Sequence, residues 1–299
     1  MISLEKCKVI CPLLDFQISV SLKEPFERGR EEKNDYFKKS GEQLVEGIEL
    51  VDGVRIRCIS KEDVGDIKRH LSLWSNMMDL SSVRFVLAKN DVENREFQTT
   101  KVMHRIVLGM RLFKSGYVSG NFVFYIPRSE EGPAVDWSRE EGQKRERYGL
   151  GYTLNFDEIS ALKNLLEQLF RFDFEEDRRL DLAFKRFGRA YEEDDSEDQL
   201  IDLVIALEAL FTKKKTKKIG KKIAQECSAL LGKDDQERNA IYGHLVEAYG
   251  IRNSIVHGSE YSKSESSEQM EADFDFMENI VHDMEGFVRD SIKAIVYRQ

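Results

Sequence analysis

The sequence has few cysteines and no long apolar run, and these two shortages exclude several classes of protein. Four cysteines in 299 residues, Cys7, Cys11, Cys58 and Cys227, are too few and too scattered for the disulfide framework of a small secreted domain. Cys7 and Cys11 lie close together, but no second pair completes a zinc site. No stretch reaches the roughly 18 to 20 apolar residues of a membrane-spanning helix, and charged residues interrupt the amino terminus, which does not suit a signal peptide. We therefore expect a cytoplasmic protein without membrane contact, metal or cofactor.

An excess of positive charge is also missing. The chain has 46 Lys and Arg against 55 Asp and Glu, which gives a net charge of −9, so any contact with a polyanion must be local. One dense basic patch occurs, and it contains Lys213, Lys214, Lys215, Lys217, Lys218, Lys221 and Lys222. This lysine patch could bind RNA phosphates, although it lacks interleaved aromatic residues for base stacking. Its alternative role is that of a solvated start of a helix that keeps the protein soluble.

The first part of the chain has the composition of strands. Residues 82–88, 101–113 and 120–126 are rich in Val, Ile and Phe and are bounded by turn residues, which favours strands. Residues 61–74 instead place apolar side chains at helical intervals. We therefore predict a mixed, strand-rich domain over residues 1–127.

The rest of the chain predicts a linker and then helices. Residues 128–152 are charged and contain glycine, with Trp137 as the main apolar anchor, which is typical of a surface loop. Residues 153–299 carry apolar residues at spacings of three and four, which predicts a helical domain. The fold class that follows is α+β, with a strand-rich N-terminal domain followed by an all-α bundle.

One of the predicted helices, residues 196–211, is unusually apolar. Ser196 and Gln199 form a capping-box pattern at its start. Apolar residues then occur on nearly every face, so this helix should be buried all round or lie in an interface. They are Leu200, Ile201, Leu203, Val204, Ile205, Leu207, Leu210 and Phe211.

The segment "RNSIVHG" (252–258) combines residues that could carry chemistry. On a helix, Asn253 and His257 share a face, and the long side chain of Arg252 can swing back toward it. Together they provide a permanent cation, an amide and a group that titrates near neutral pH. Cutting RNA without a metal needs such an acid or base and such a cation. The same spacing also fits an ordinary helix end with one polar face, closed by Gly258.

Three passages together resemble the Apea-like branch of the HEPN superfamily. They are "IDLVIALEALF" (201–211), "KKIGKKIAQECSALLG" (217–232) and "YGIRNSIVHG" (249–258). The ribonuclease signature of that superfamily is an arginine, usually followed by a polar residue, and a histidine a few positions later. Arg252, Asn253 and His257 match this signature without a gap.

The resemblance implies a fold, a partner and an activity. Members form helical bundles that dimerise and bring two copies of the motif into one cleft. Many are metal-independent endoribonucleases in toxin, anti-phage or RNA-processing systems, which implies catalytic roles for Arg252, Asn253 and His257. The expected partners are RNA, a second copy of the chain and an antitoxin or other defence-system component. Other members are non-catalytic nucleotide-binding, RNA-binding or scaffold modules, and that alternative stays open here.

Glu208 lies inside the apolar helix and needs a partner wherever it is buried. One expectation is that it pairs with an arginine or lysine and holds the bundle together. The other is that it orients Arg252 or His257 from behind the site.

Overall fold

The computed structural model describes residues 6–20, 30–70, 80–93, 97–120, 122–127, 136–139, 151–172, 174, 176–212, 219–258 and 267–298. They divide into two compact units. The first unit runs to Phe170 and contains a sheet, whereas the second begins at Arg171 and contains helices. A mixed α+β architecture with the strands in the N-terminal part is therefore confirmed at this level.

The first unit is built on a six-stranded sheet with the order β3-β4-β5-β1-β6-β7, in which all neighbours are antiparallel. Strand β2 pairs in parallel with β8 in a separate two-stranded sheet. The strands are β1 Lys6–Leu13, β2 Phe16–Ser19, β3 Ile48–Val51, β4 Val54–Cys58, β5 Phe85–Glu93, β6 Phe122–Pro127, β7 Asp136–Arg139 and β8 Tyr152–Asn155.

Strand β1 lies between β5 and β6, and its apolar residues explain that position. Val9, Ile10 and Cys11 are completely buried, as expected of a strand with sheet neighbours on both sides. Cys11 donates its thiol hydrogen to the Gly120 carbonyl at 3.4 Å. Cys7 is also a buried thiol.

Helix α1 (Arg30–Glu46) and helix α2 (Lys61–His70) belong to the same unit. In α2, Ile67 joins the core cluster that includes Ile10 and Phe124. The buried Asp63 of its first turn accepts hydrogen bonds from Arg57 and Ser60. Although burial raises the pKa of Asp63, these bonds hold it well below its usual range. The predicted helix at 61–74 is thus confirmed to His70, and residues 71–79 lie outside the described part of the chain.

The prediction of a strand at residues 101–113 is wrong, because this segment belongs to helix α3, Phe97–Phe113. Met103, Ile106 and Met110 are completely buried, and their spacing of three and four is that of a helix face. The content of Ile, Val and Phe favours a strand here, but the periodicity of the buried residues is that of a helix. The predicted strands at 82–88 and 120–126 correspond to β5 and β6.

Gly109 lets α3 approach helix α4 (Ile159–Arg171) closely. A Cβ atom at Gly109 would lie 2.4 Å from a methyl carbon of Leu166, and Arg105 also donates to the Leu169 carbonyl at 2.8 Å. Helix α4 therefore packs in the first unit almost to its end, although the predicted helical domain covers residues 153–299.

Among its described residues, the predicted linker over residues 128–152 contains strand β7 and the first residue of β8. Asp136–Arg139 forms β7 and pairs with β6, with Trp137 opposite Phe124. This segment is therefore more than a surface loop, because its apolar anchor, Trp137, belongs to a sheet. Residues 128–135 and 140–150 lie outside the described part of the chain.

The described residues of the second unit form five helices that follow one another along the chain. They are α5 Arg178–Ala190, α6 Ser196–Phe211, α7 Ile219–Leu231, α8 Asp235–His257 and α9 Ser267–Val296. Helix α6 contacts the other four. Its apolar residues explain this central position, since Leu200, Leu203 and Leu207 are almost completely buried.

The N-cap of helix α6 lies one residue before the one that the capping-box pattern predicts. Its N-cap is Asp195, whose side chain accepts from the Glu197 backbone N–H, and Ser196 is the first helical residue. Gln199 donates from Nε2 to the Glu193 carbonyl, whereas in a capping box its side-chain oxygen would accept from the N-cap backbone N–H. Helix α7 ends at Leu231, and the backbone N–H of Gly232 donates to the Ser228 carbonyl at 2.9 Å.

The described residues contain neither a membrane-spanning helix nor a metal-binding cluster of side chains. None of the helices there has both the length and the apolar character needed to cross a bilayer. Across the same ranges, no group of three or more His, Cys, Asp or Glu side chains is arranged to hold a metal ion.

Candidate functional site

The motif at 252–258 lies in the last two turns of helix α8, and local signals place it there. Asp234 caps the start of α8 by accepting from the Glu237 backbone N–H. Gly258 ends the helix in the left-handed conformation, with φ of 65°, which glycine adopts without the strain of a Cβ atom. The end at Gly258 agrees with the sequence prediction. Arg252, Asn253 and His257 are therefore all carried by one rigid element.

The three motif residues differ in exposure. His257 is exposed at the end of the helix, whereas Arg252 and Asn253 are half-buried. Arg252 donates from Nη1 to Asn253 Oδ1 at 3.2 Å, so its guanidinium lies toward the face that Asn253 shares with His257. No hydrogen bond joins His257 to either residue within the described ranges. A single chain thus holds the arginine and the amide together and leaves the imidazole open to solvent.

Tyr249 is a functional candidate that the sequence analysis did not name. It precedes Arg252 by one helical turn on α8, and the Arg252 Cζ atom lies 5.8 Å from the centroid of its ring. At this distance the guanidinium charge is attracted by the face of the ring. The only sequence signal was the position of Tyr249 at the start of the "YGIRNSIVHG" passage, where an aromatic residue looks like ordinary core.

Glu208 of α6 reaches the site through Tyr249. The Tyr249 hydroxyl donates to Glu208 Oε1 at 2.5 Å. Among the described residues, Tyr249 is the side-chain partner of Glu208. One expectation had been an arginine or a lysine in that role. The other expectation was an orienting role toward Arg252 or His257, and the path to Arg252 runs through the tyrosine ring.

The environment of Tyr249 keeps its hydroxyl protonated. Burial raises the pKa of Tyr249, and the hydrogen bond to Glu208 with its negative charge raises it further, against a smaller opposing effect of Arg252. Tyr249 is therefore a hydrogen-bond donor at neutral pH, which is the role that a carboxylate partner requires.

Gly220 of α7 packs against the face of the same ring. A Cβ atom at this position would lie 2.6 Å, 2.7 Å and 3.0 Å from three ring carbons of Tyr249. Any side chain here would have to displace the ring, because these atoms are not the free end of a flexible chain. The approach of α7 to α8 at this point depends on glycine.

The lysine patch lies mostly outside the described residues, which exclude Lys213, Lys214, Lys215, Lys217 and Lys218. Lys221 and Lys222 lie in the first turns of α7. Lys221 is exposed, and Lys222 Nζ lies 3.6 Å from Glu226 Oε1. The described part of the patch therefore provides one exposed cation and one that is shared with a carboxylate.

Helix α6 is less buried along one stripe than elsewhere. Ile201, Ile205 and Glu208 are half-buried, and their spacing places them on one face of the helix. Near the end of α8, Val256 is 50% exposed. The single chain thus leaves apolar surface on α6 and on α8, which are the two helices that supply Glu208 and the motif.

Comparison with known proteins gives no family assignment, because no protein-family profile, no curated protein and no solved structure matches this chain. The arguments for a function therefore rest on the residues and geometry of the helical unit.

Proposed function

We propose that this protein is a metal-independent endoribonuclease of the HEPN type, which cuts RNA in a site composed of Arg252, Asn253 and His257 from two copies of the chain. The observation that carries the proposal is the end of α8, where an exposed imidazole follows an arginine that Asn253 and Tyr249 hold in place. The five-helix unit that contains it supports the helical bundle that the resemblance implies.

The chemistry uses one acid or base and one cation. His257 acts as the base that takes the proton of a ribose 2′-hydroxyl, or as the acid that protonates the leaving 5′-oxygen. The 2′-oxygen forms a bond to phosphorus while the bond between phosphorus and the 5′-oxygen breaks. Arg252 stabilises the negative charge that develops on the phosphate, and Asn253 orients the arginine. The products are a 2′,3′-cyclic phosphate and a 5′-hydroxyl.

A second copy of the chain completes the site. A two-fold axis places two histidines and two arginines around one phosphate, so the second copy adds an acid or base and a cation to those of the first. The half-buried stripe of α6 and the exposed Val256 support an interface beside the motif. The lysine patch would add contacts to RNA phosphates. A setting in toxin or anti-phage defence, with an antitoxin or other partner, rests on the resemblance.

The decisive experiment incubates the purified full-length protein with RNA in EDTA. We expect cleavage that leaves 2′,3′-cyclic phosphate ends and that falls about 10²- to 10⁴-fold in His257→Ala, because a positioned acid or base contributes that much. Cleavage that continues unchanged in His257→Ala would contradict the assignment. His282→Ala is the matched control, since His282 is another exposed histidine of the same unit.

Co-expression of two inactive variants tests the composite site. A dimer of one Arg252→Ala chain and one His257→Ala chain retains one arginine and one histidine, whereas each variant alone lacks all copies of one residue. We expect partial recovery of cleavage in the mixed dimer. If the mixed dimer forms and stays as inactive as its parents, the two copies do not share a site.

The second candidate function is a module that binds RNA or a nucleotide, or acts as a scaffold, without cutting. The half-buried position of Arg252 favours it, because a partly covered arginine also suits a fixed phosphate contact. In that case Arg252→Ala weakens binding or dimerisation, and no cleavage is found with the unmodified protein.

A further inference from the structure

We propose that Tyr249 is a positioning residue of this site, and that Glu208 acts through it to fix the Arg252 guanidinium where an RNA phosphate binds. This inference rests on the proposed function for its catalytic consequence. Its structural part, the restraint on Arg252, can be tested without any cleavage.

Three helices meet at Tyr249. The residue belongs to α8, its hydroxyl donates to Glu208 of α6 at 2.5 Å, and Gly220 of α7 packs against its ring. The ring is therefore restrained at its hydroxyl and on its face by elements other than its own helix. A tyrosine held in this way provides a fixed surface for whatever rests on it.

Arg252 rests on this ring and has few other restraints. Among the described residues, the acceptor for its guanidinium is Asn253 Oδ1, and its buried Nε atom has no hydrogen-bond partner there. An arginine side chain has many rotamers, and fixing it before the reaction lowers the cost of reaching the productive geometry. Asn253 and the Tyr249 ring supply this restraint from two sides.

The tyrosine also keeps the arginine charge available. A carboxylate that paired directly with the guanidinium would compete with phosphate for its forked N–H donors. Within the part of the chain that the structure describes, Arg252 forms no ion pair with a carboxylate. Glu208 instead accepts a hydrogen bond from the Tyr249 hydroxyl. The carboxylate thus orders the site without occupying the donors that a phosphate needs.

The first experiment measures the restraint directly by NMR of the arginine side chains in the full-length protein. The Nε–H signal of Arg252 is assigned with Arg252→Lys. We expect a signal with restricted motion in the unmodified protein and a mobile one in Tyr249→Leu, which removes the ring surface. Tyr249→Phe keeps the ring but loses the bond to Glu208, so we expect an intermediate mobility. An unchanged Arg252 signal in Tyr249→Leu would overturn the inference, whatever the protein does to RNA.

The second experiment separates positioning from folding. Tyr249→Phe and Glu208→Gln should lower kcat for RNA cleavage by about tenfold with little change in KM, because a misplaced cation stabilises the charge that develops in the transition state less than a well-placed one does. Tyr191→Phe is the matched control, since Tyr191 is a buried tyrosine of the same unit that also bonds to an arginine. It should lower the melting temperature and leave kcat unchanged. Equal effects of Tyr191→Phe and Tyr249→Phe on kcat would show a merely structural role and overturn the inference.

The two proposals fail in different ways. If the unmodified protein cuts no RNA but Arg252 loses its restraint in Tyr249→Leu, the positioning inference stands and the proposed ribonuclease is wrong. If RNA is cut and the mobility of the Arg252 signal is unchanged in Tyr249→Leu, the ribonuclease stands and the positioning inference is wrong.

Discussion

The helical unit contains two clusters made of the same three residue types, an arginine, a tyrosine and a glutamate. The buried cluster consists of Tyr191, Glu285 and Arg289, and the half-exposed cluster consists of Glu208, Tyr249 and Arg252. In the buried cluster Arg289 Nη2 donates to Tyr191 Oη at 3.0 Å and lies 3.6 Å from Glu285 Oε1. In the half-exposed cluster the tyrosine lies between the other two, and the arginine meets the ring instead of the carboxylate.

The two arginines therefore differ in how far their charge is compensated by neighbouring side chains. The arginine of the buried cluster contacts both of its partners, so its charge is compensated inside the protein. The arginine of the half-exposed cluster keeps donors that the described residues do not use, at the end of a helix that also carries an exposed histidine. The same residue types thus compensate the arginine charge in one place and leave guanidinium donors unused by the described residues in the other.

The largest expected effect is the loss of stability when the arginine of the buried cluster is replaced by alanine. The same substitution at the arginine of the half-exposed cluster is its comparison. Arg289→Ala leaves Glu285 as an uncompensated buried charge, so we expect a loss of about 3 to 5 kcal/mol in the free energy of unfolding. Arg252→Ala removes a half-buried side chain without a carboxylate partner among the described residues, and we expect a loss of about 1 kcal/mol or less. Urea unfolding followed by circular dichroism measures both values. The comparison fails if Arg252→Ala destabilises the protein as much as Arg289→Ala does.

A smaller effect is expected from a methyl group placed against the half-exposed cluster. Gly220→Ala puts a Cβ atom 2.6 Å from the Tyr249 ring, and we expect overpacking to cost about 1 to 3 kcal/mol. The displaced ring should also lower RNA cleavage.

Gly243→Ala is the control for this substitution, because Gly243 is exposed on α8 and a Cβ atom there meets nothing within 4 Å. It should stabilise the protein by up to about 1 kcal/mol through helix propensity. Thermal melting of both variants checks the pair. If Gly220→Ala proves as favourable as Gly243→Ala, the ring is not restrained by α7.

The smallest effect concerns stability at high pH. Burial is the first cause that raises the pKa of Tyr191, and burial together with Glu208 raises the pKa of Tyr249. Because an unfolded tyrosine titrates near pH 10, this contribution to stability is complete below about pH 10 and is lost as pH rises through the folded pKa. Each tyrosine should therefore make unfolding easier in alkali.

Phenylalanine variants measure this contribution. Tyr191→Phe and Tyr249→Phe should each make the free energy of unfolding fall less steeply between about pH 9 and pH 11. Urea unfolding at several pH values provides the slopes. An unchanged slope in Tyr249→Phe would mean that its hydroxyl is not held in the protonated form by Glu208.

Much of the helical unit was predictable because its signals are local. Asp234, Gly232 and Gly258 mark helix ends through backbone conformation and hydrogen bonds to residues within four positions. The burial of α6 followed from apolar residues on nearly every face. The start of α6 was misplaced by one residue because Asp195 and Ser196 are both good capping residues, and the backbone selects the first.

The first unit was harder to predict because composition and periodicity disagreed there. Helix α3 is rich in residues that favour strands, yet it places Met103, Ile106 and Met110 on one buried face. Gly109 at its contact with α4 carries no local signal of helix packing. The position of α4 in the first unit likewise depends on contacts with residues far away in the chain.

By itself the sequence determined that Arg252, Asn253 and His257 lie together at the end of a helix, since caps and side-chain spacing act over one or two turns. Only the tertiary structure decided that Tyr249 lies between Arg252 and Glu208, because that hydrogen bond joins residues 41 positions apart on different helices. Tertiary packing likewise decided that Arg289 lies beside a carboxylate, whereas Arg252 has no carboxylate partner among the described residues. Residue type sets which bonds are available, whereas the packing of helices determines which of them form.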